Sequence, residues 1–137
     1  MPIHLLVVED ELSMVLAMHD YFGHAGFHID CAAGPSEAVR LLDQHAYDAV
    51  ITDLHLTSDR RAGGLAVAAY ARKKDPAAFI VLLTGYDLPH MGQAARDAGV
   101  DMYQIKPVEL GQLAARIQSA LSTRVAGSAA AGNRVTW

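Results

Sequence analysis

Short apolar runs alternate with amphipathic segments along most of the chain. Each run is brief and nearly continuous, which is typical of strands that a parallel sheet buries on both faces. The predicted strands are 3–8, 27–32, 47–52, 79–83 and 102–105. The segments that follow them repeat apolar residues at helical spacing. They predict helices beginning near Leu12, Pro35, Leu65, Leu88 and Leu110.

Glycine and proline mark where several of these helices begin and end. Gly23 and Gly26 offer a stop for the first helix, and Pro35 fits the first position of the second. The third helix should end before Pro76, because the residue that precedes a proline disfavours helical geometry. The fourth helix is expected over 88–98, and Gly92 in its interior lowers its helix propensity.

The alternation of elements predicts an α/β fold of the flavodoxin-like, doubly wound (βα)5 type, a three-layer sandwich around a parallel sheet. Right-handed crossovers and a reversal of strand order give this five-stranded sheet the order 2-1-3-4-5, with the first and third strands adjacent. We assign residues 1–121 to this single domain. Residues 122–137 are rich in Ala, Gly, Ser and Asn without apolar periodicity, so we expect a flexible tail there.

Composition narrows the functional classes. The 137 residues are 52% hydrophobic and 19% charged, as in an ordinary globular domain. The net charge of −4 argues against direct nucleic-acid binding, which usually requires a basic surface. No apolar run approaches the ~20 residues that span a bilayer, so we expect no membrane insertion and a cytoplasmic location. Cys31 is the single cysteine, which excludes an intrachain disulfide.

Polar residues stand where the predicted strands end, and they are Glu9, Asp10, Asp53, Thr84 and Lys106. Because the carboxyl ends of parallel strands meet in one crevice, these side chains should converge. Two unit charges ~5 Å apart repel by roughly 3 kcal/mol at an effective dielectric near 20, so clustered carboxylates require cations. Lys106 can neutralise one charge. Mg²⁺ suits the remainder, since it accepts carboxylates and completes its shell with water and a phosphoryl group.

Asp53 is the candidate phosphoryl acceptor, because an aspartate carboxylate can act as the nucleophile in phosphoryl transfer. Lys106 and a metal ion would face the phosphoryl oxygens, and Thr84 would donate a hydroxyl hydrogen bond to one of them. Taken alone, the acidic segment 9–11 would be an ordinary helix-capping loop and Thr84 an ordinary strand residue. Their combination at several strand ends favours the chemical interpretation.

Over roughly residues 3 to 121, the chain resembles the receiver domain of bacterial response regulators in two-component signalling. The matching segments are 7–11, 53–54, 83–85, 98–101 and 103–107. The resemblance implies that Glu9 and Asp10 hold Mg²⁺ and that Asp53 is phosphorylated. It further implies that Thr84 is the switch hydroxyl and Lys106 the phosphate-sensing lysine.

The resemblance also implies roles for residues outside the charged cluster. The backbone carbonyl of His55 would be a metal ligand, and Pro107 would follow a cis peptide bond. Tyr103 matches an aromatic residue that swings inward when the switch hydroxyl is drawn to the phosphate. The side chains of His55 and Tyr86 match positions that border the phosphoryl group and tune its hydrolysis, although ordinary exposed loop residues would look the same.

The chain departs from the family pattern near the predicted site. Thr57 stands where the family usually has a proline, and the loop at 58–64 is longer than usual. Gly85 replaces a small alanine, and Val108 replaces a common aromatic residue. None of these changes removes a group that the chemistry needs.

The resemblance implies a phosphorylation switch that is not an enzyme. Its partners would be a sensor histidine kinase or histidine phosphotransfer protein and a downstream protein effector, and its output surface would be the fourth helix, fifth strand and fifth helix. One alternative is a phosphatase of the dehalogenase type with Asp53 as nucleophile and His55 as general acid. Such enzymes usually carry an aspartate in place of His55 and a cap domain. Another is a flavodoxin-like nucleotide carrier, although an acidic loop at 9–11 would repel phosphate.

Overall fold

The computed structural model describes residues 2–56, 63–85 and 87–126. Strands and helices alternate throughout, as predicted. The strands are β1 (His4–Val8), β2 (His28–Ala32), β3 (Ala49–Asp53), β4 (Phe79–Thr84) and β5 (Met102–Ile105). The helices are α1 (Leu12–His24), α2 (Pro35–Gln44), α3 (Gly63–Lys74), α4 (Met91–Asp97) and α5 (Leu110–Ala126).

The five strands form one parallel sheet in the order β2-β1-β3-β4-β5, which confirms the predicted fold class and strand order. In register, Asp53 at the end of β3 lies opposite Leu83 of β4. Thr84 at the end of β4 lies opposite Ile105 of β5. The carboxyl ends of these strands therefore share one edge of the sheet.

Each face of the sheet has its own hydrophobic core. The face covered by α1 and α5 includes Leu5, Val7, Met18, Phe22 and Ile117. The face covered by α2, α3 and α4 includes Leu6, Val8, Leu42, Val67 and Ala95. Successive residues of β1 alternate between the two cores, as the period of a strand requires. This arrangement is the three-layer sandwich expected from the sequence.

A buried ion pair fixes α3 to the start of β5. Nη2 of Arg72 lies 2.6 Å from Oδ2 of Asp101, a side chain that is only 1% exposed. The same oxygen accepts a hydrogen bond from the backbone N–H of Ile80 at 2.9 Å. Arg72 also donates to the backbone carbonyl of Gly99. These contacts connect α3 to β4 and to the residues that lead into β5.

Three helix boundaries differ from the predicted ones. α3 begins at Gly63 instead of near Leu65, so the last two residues of the expected loop at 58–64 are helical. α4 begins at Met91 instead of near Leu88, because His90 adopts the left-handed conformation with φ of 64°. α5 continues to Ala126, past the predicted domain boundary at 121, so the first residues of the expected tail are helical. The predictions for Thr57, for 58–62, for Tyr86 and for 127–137 lie outside the described residues.

Within the described residues, no helix combines the length and the apolar character that crossing a bilayer would require.

Candidate functional site

The strand ends position the polar residues that the sequence singles out. Glu9 follows β1 directly, and its backbone N–H donates to the carbonyl of Ala32 at 3.0 Å. Asp53 and Thr84 are the last residues of β3 and β4. Lys106 follows β5, and its backbone N–H donates to the carbonyl of Thr84 at 2.7 Å. Backbone hydrogen bonds between strands thus hold these residues at one edge of the sheet.

The ammonium group of Lys106 bridges two of the carboxylates. Its Nζ lies 3.1 Å from Oε1 of Glu9 and 3.2 Å from Oδ2 of Asp53. Glu9 is 3% exposed and Asp53 is 8% exposed, so solvent screens both pairs weakly. The predicted convergence of these side chains is therefore observed, over sequence separations of 97 and 53 residues.

Glu9 has a second set of contacts that fixes its orientation. Oε2 accepts hydrogen bonds from the backbone N–H groups of Asp10 at 3.1 Å and Glu11 at 3.2 Å. Burial nevertheless raises the pKa of Glu9, and the neighbouring charge of Asp53 raises it further. The hydrogen bonds and Lys106 lower the pKa but do not cancel the rise. Among the described residues, the contacts of Glu9 therefore do not fully offset its burial and the repulsion from Asp53.

Lys106 shows the complementary effect. Burial by itself lowers the pKa of the ammonium group, but the hydrogen bond to Glu9 and the charges of Asp53 and Glu9 raise it above its ordinary value overall. Lys106 is therefore firmly protonated at neutral pH and acts as a fixed positive charge.

The cluster can accommodate a divalent cation. One oxygen each from Glu9, Asp10 and Asp53 lie within 4.8 Å of one another. Among the described residues, Lys106 pairs with two of these carboxylates, and a bound cation would relieve the repulsion between the carboxylates further. Carboxylate oxygens are hard ligands that suit Mg²⁺ or Ca²⁺. The residues present thus fit a hard divalent cation.

Gly64 allows α3 to pack closely against the acidic cluster. The sequence pattern did not reveal this role, because it predicted only a long loop at 58–64. A Cβ built at this position would lie 1.8 Å from the backbone carbonyl oxygen of Asp53. The N–H of Gly64 donates to the carbonyl of Leu54 at 3.0 Å. Consecutive glycines at the start of an amphipathic helix were the available signal, since they permit close backbone approach.

Thr84 and Tyr103 lie on neighbouring strands, with Thr84 at the end of β4 and Tyr103 opposite Leu82, two residues before that end. Thr84 is fully buried, and Tyr103 is half-buried on β5. The hydroxyl of Tyr103 donates to Oδ1 of Asp87 at 3.2 Å. Burial raises the pKa of Tyr103 above its ordinary value, and the hydrogen bond to Asp87 raises it further. Asp87 was not among the predicted residues, because no motif marks it and the contact depends on the path of the loop after β4.

Two further predicted residues, His55 and Pro107, follow the carboxyl ends of β3 and β5. The Lys106–Pro107 peptide bond is cis, as the resemblance implied. His55 follows β3 by two positions and has an exposed side chain. The position of Tyr86 lies outside the described residues.

Comparison with known proteins places residues 5–118 within the family model described as the response regulator receiver domain. The transcriptional regulatory protein PmrA of Pectobacterium parmentieri is 35% identical over 124 residues, which cover 90% of this chain and 54% of PmrA. The chain spans about half the length of the curated relatives it matches.

Solved structures share the fold. A CheY-like receiver domain protein from Methanospirillum hungatei superposes with a TM-score of 0.83 at 21% identity, covering 90% of this chain and 97% of that one. A response regulator from Burkholderia pseudomallei, solved with a phosphorylated aspartic acid, a calcium ion and citrate, has a TM-score of 0.77 at 27% identity. That match covers 98% of this chain and 76% of the other.

Proposed function

The chain belongs to the response regulator receiver domain family, and from this premise we propose that Asp53 accepts a phosphoryl group from a phosphohistidine donor. The observation that carries the proposal is the position of Lys106, whose Nζ contacts both Asp53 and Glu9 at the carboxyl end of the sheet. A nucleophilic carboxylate beside a fixed cation is the arrangement that phosphoryl transfer requires.

In the proposed reaction, a carboxylate oxygen of Asp53 attacks the phosphorus atom of the donor. The new bond joins this oxygen to phosphorus, while the bond from phosphorus to the donor imidazole nitrogen breaks and the nitrogen keeps the electron pair. Lys106 already lies 3.2 Å from Asp53, where its charge can stabilise the phosphoryl oxygens. Removing Lys106 should therefore affect the phosphorylated state more than the metal site.

Mg²⁺ is the proposed cofactor, held by Asp10, Asp53 and the backbone carbonyl of His55, with Glu9 completing the acidic set. When bound, it would neutralise charge on the acceptor carboxylate and the incoming phosphoryl oxygens. The grouping of the three carboxylates within 4.8 Å supports this assignment. The Burkholderia pseudomallei response regulator was solved with a calcium ion and a phosphorylated aspartic acid, which supports a hard divalent cation as the cofactor here.

Thr84, Lys106 and Tyr103 form the proposed switch. Thr84 would donate its hydroxyl hydrogen bond to a phosphoryl oxygen, and Tyr103 would respond on the neighbouring strand. The surface that changes would be α4, β5 and α5, where a downstream protein effector would bind. His55 and Tyr86 would tune the lifetime of the phosphoryl group, because side chains bordering it can restrict an attacking water.

The proposed donor partner is a sensor histidine kinase or a histidine phosphotransfer protein, and the proposed location is cytoplasmic. We propose no direct nucleic-acid contact for this chain, in keeping with its net charge of −4. The activities of the longer relatives are not carried over, because the chain spans about half their length. The phosphatase alternative has no support from the family match or the structural relatives.

Phosphorylation can be tested by incubating the protein with acetyl phosphate and measuring its intact mass with and without Mg²⁺. Wild type should gain one phosphoryl group only when Mg²⁺ is present, and Asp53→Asn should gain none. Asp20→Asn, which removes an exposed carboxylate on α1, is the matched control and should behave as wild type. Equal phosphorylation of Asp53→Asn and wild type would refute the assignment, and steady turnover of small phosphate esters would favour an enzyme.

A further inference from the structure

Two histidine side chains lie against each other at the amino-terminal edge of the sheet. His4 begins β1, His28 begins β2, and the two are Cα partners in the parallel register. Residues opposite each other on adjacent strands project to the same face. The two imidazole rings have centroids 4.8 Å apart and planes inclined by 42°, and both side chains are exposed.

We propose that His4 and His28 together bind a late first-row divalent cation of the Zn²⁺, Ni²⁺ or Cu²⁺ class. Imidazole nitrogen is a preferred ligand for these ions, whereas Mg²⁺ prefers oxygen. Two rings that share one ion at a metal–nitrogen distance of about 2.1 Å would have centroids roughly 4.6 to 5.3 Å apart, for ligand angles between square and tetrahedral. The observed spacing of 4.8 Å falls within that interval.

Acidic groups near the pair favour a cation. Oδ2 of Asp48 accepts the backbone N–H of His4 at 2.9 Å, which places its carboxylate at the same end of β1. Asp30 follows His28 by two positions in β2 and accepts the hydroxyl of Tyr47 at 2.6 Å. Neither needs to be a ligand, because negative charge nearby already raises the local concentration of cations.

The pair supplies two ligands, so water would complete the coordination. Among the described residues, Glu9, Asp10 and Asp53 form a group of three potential metal ligands, and neither histidine is part of it. The affinity should therefore be lower than that of a structural zinc site, which has four protein ligands.

This site would be separate from the acidic cluster. His4 and Glu9 lie at opposite ends of β1, roughly 16 Å apart at about 3.3 Å per strand residue. The two sites also differ in ligand chemistry, so Mg²⁺ can fill the acidic cluster while the histidine pair stays available. An ion held by both rings would join the edge strand β2 to β1 and favour the folded chain.

The test is calorimetric titration of the untagged protein with Zn²⁺ in the presence of saturating Mg²⁺. Wild type should bind Zn²⁺, and His4→Ala and His28→Ala should each lose at least tenfold in affinity, with no further loss in the double variant. His24→Ala is the matched control, since His24 is an exposed histidine beside the carboxylate of Asp20. It should bind Zn²⁺ as wild type does, and all variants should keep the Mg²⁺ affinity of wild type.

Line broadening of amide NMR signals by Cu²⁺ locates the ion. Signals near His4 and His28 should broaden first in wild type and should keep their width in the two single variants. Unchanged Zn²⁺ affinity in both variants, or broadening centred on Asp53 in Mg²⁺-saturated protein, would overturn the proposal. Neither result would bear on phosphorylation of Asp53, which the mass measurement tests independently.

Discussion

Glu9 lies in surroundings that disfavour its ionised form, although each of its hydrogen bonds and its ion pair favours that form. The carboxylate accepts two backbone N–H groups and pairs with Lys106, yet burial and the charge of Asp53 raise its pKa above the ordinary value of 4.5. A residue in this condition is better suited to holding a cation than to stabilising the metal-free fold.

The raised pKa of Glu9 predicts how stability depends on pH in metal-free protein. A folded-state pKa above the unfolded one means that the folded chain binds the proton more tightly, so this group's contribution falls as pH rises from 4.5 through the folded value. The free energy of unfolding of Glu9→Gln, relative to wild type, should therefore increase over that interval. Chemical denaturation at several pH values in the presence of a chelator measures it.

Glu11→Gln is the matched control for this measurement, because Glu11 is an exposed carboxylate in the same loop. It should show no such trend. Asp53→Asn should weaken the trend, since the charge of Asp53 contributes to the shift at Glu9. A pH profile of Glu9→Gln that runs parallel to wild type would contradict the prediction. Saturating Mg²⁺ should reduce the difference by offsetting the carboxylate repulsion.

At the scale of elements, the acidic site depends on how closely α3 packs against the end of β3. Gly64 lies in the first turn of α3, where a Cβ would fall 1.8 Å from the carbonyl oxygen of Asp53. The obstructing atom belongs to the backbone, so no side-chain rotation can relieve the clash. The helix or the strand end must move.

Gly64→Ala should destabilise the protein by about 1–3 kcal/mol, the usual cost of overpacking, and should weaken metal binding through displacement of Asp53. Gly92→Ala is the matched control, because Gly92 lies within α4 and has open space where a Cβ would stand. That change should stabilise by up to about 1 kcal/mol, since alanine is the better helix former. Thermal denaturation and Mg²⁺ titration compare the two, and equal effects would show that packing against Asp53 is not limiting.

At the scale of the whole molecule, the sheet connects the acidic cluster to a distant surface. Thr84 ends β4 beside the site, and the N–H of Lys106 donates to its carbonyl. Tyr103 lies on the next strand, and its hydroxyl donates a hydrogen bond to Asp87 in the segment that precedes α4. A phosphoryl group that attracts Thr84 would thus act on two strands that lead to α4 and α5. Coupling requires that the phosphoryl group stabilise one arrangement of these groups over another.

Thr84→Ala and Tyr103→Ala should leave Asp53 able to accept a phosphoryl group. Both variants should lose the conformational response of residues 91–126 to that group. Amide NMR shifts with and without beryllofluoride measure the response. Thr84→Ser retains the hydroxyl and should respond like wild type, whereas Tyr103→Phe isolates the contribution of the hydrogen bond to Asp87. A full distant response in both alanine variants would mean that the signal takes another route.

Local patterns in the chain were enough to predict the elements, their order and the edge of the sheet at which the polar side chains converge. Apolar runs predicted every strand to within a few residues, and Asp53, Thr84 and Lys106 were expected together because each ends or follows a parallel strand. These features depend on local periodicity and on general rules of parallel sheets. Both can be recognised without knowing how any particular side chain packs.

Which groups touch one another depends on the folded molecule as a whole. Lys106 contacts both Glu9 and Asp53, and Tyr103 donates a hydrogen bond to Asp87. These contacts form because the fold brings together strand ends and loops that are far apart in sequence. The close placement of the His4 and His28 rings depends on the register between β1 and β2, and a shift of one residue would separate the rings. Local pattern specifies the elements, whereas register and close packing specify distances.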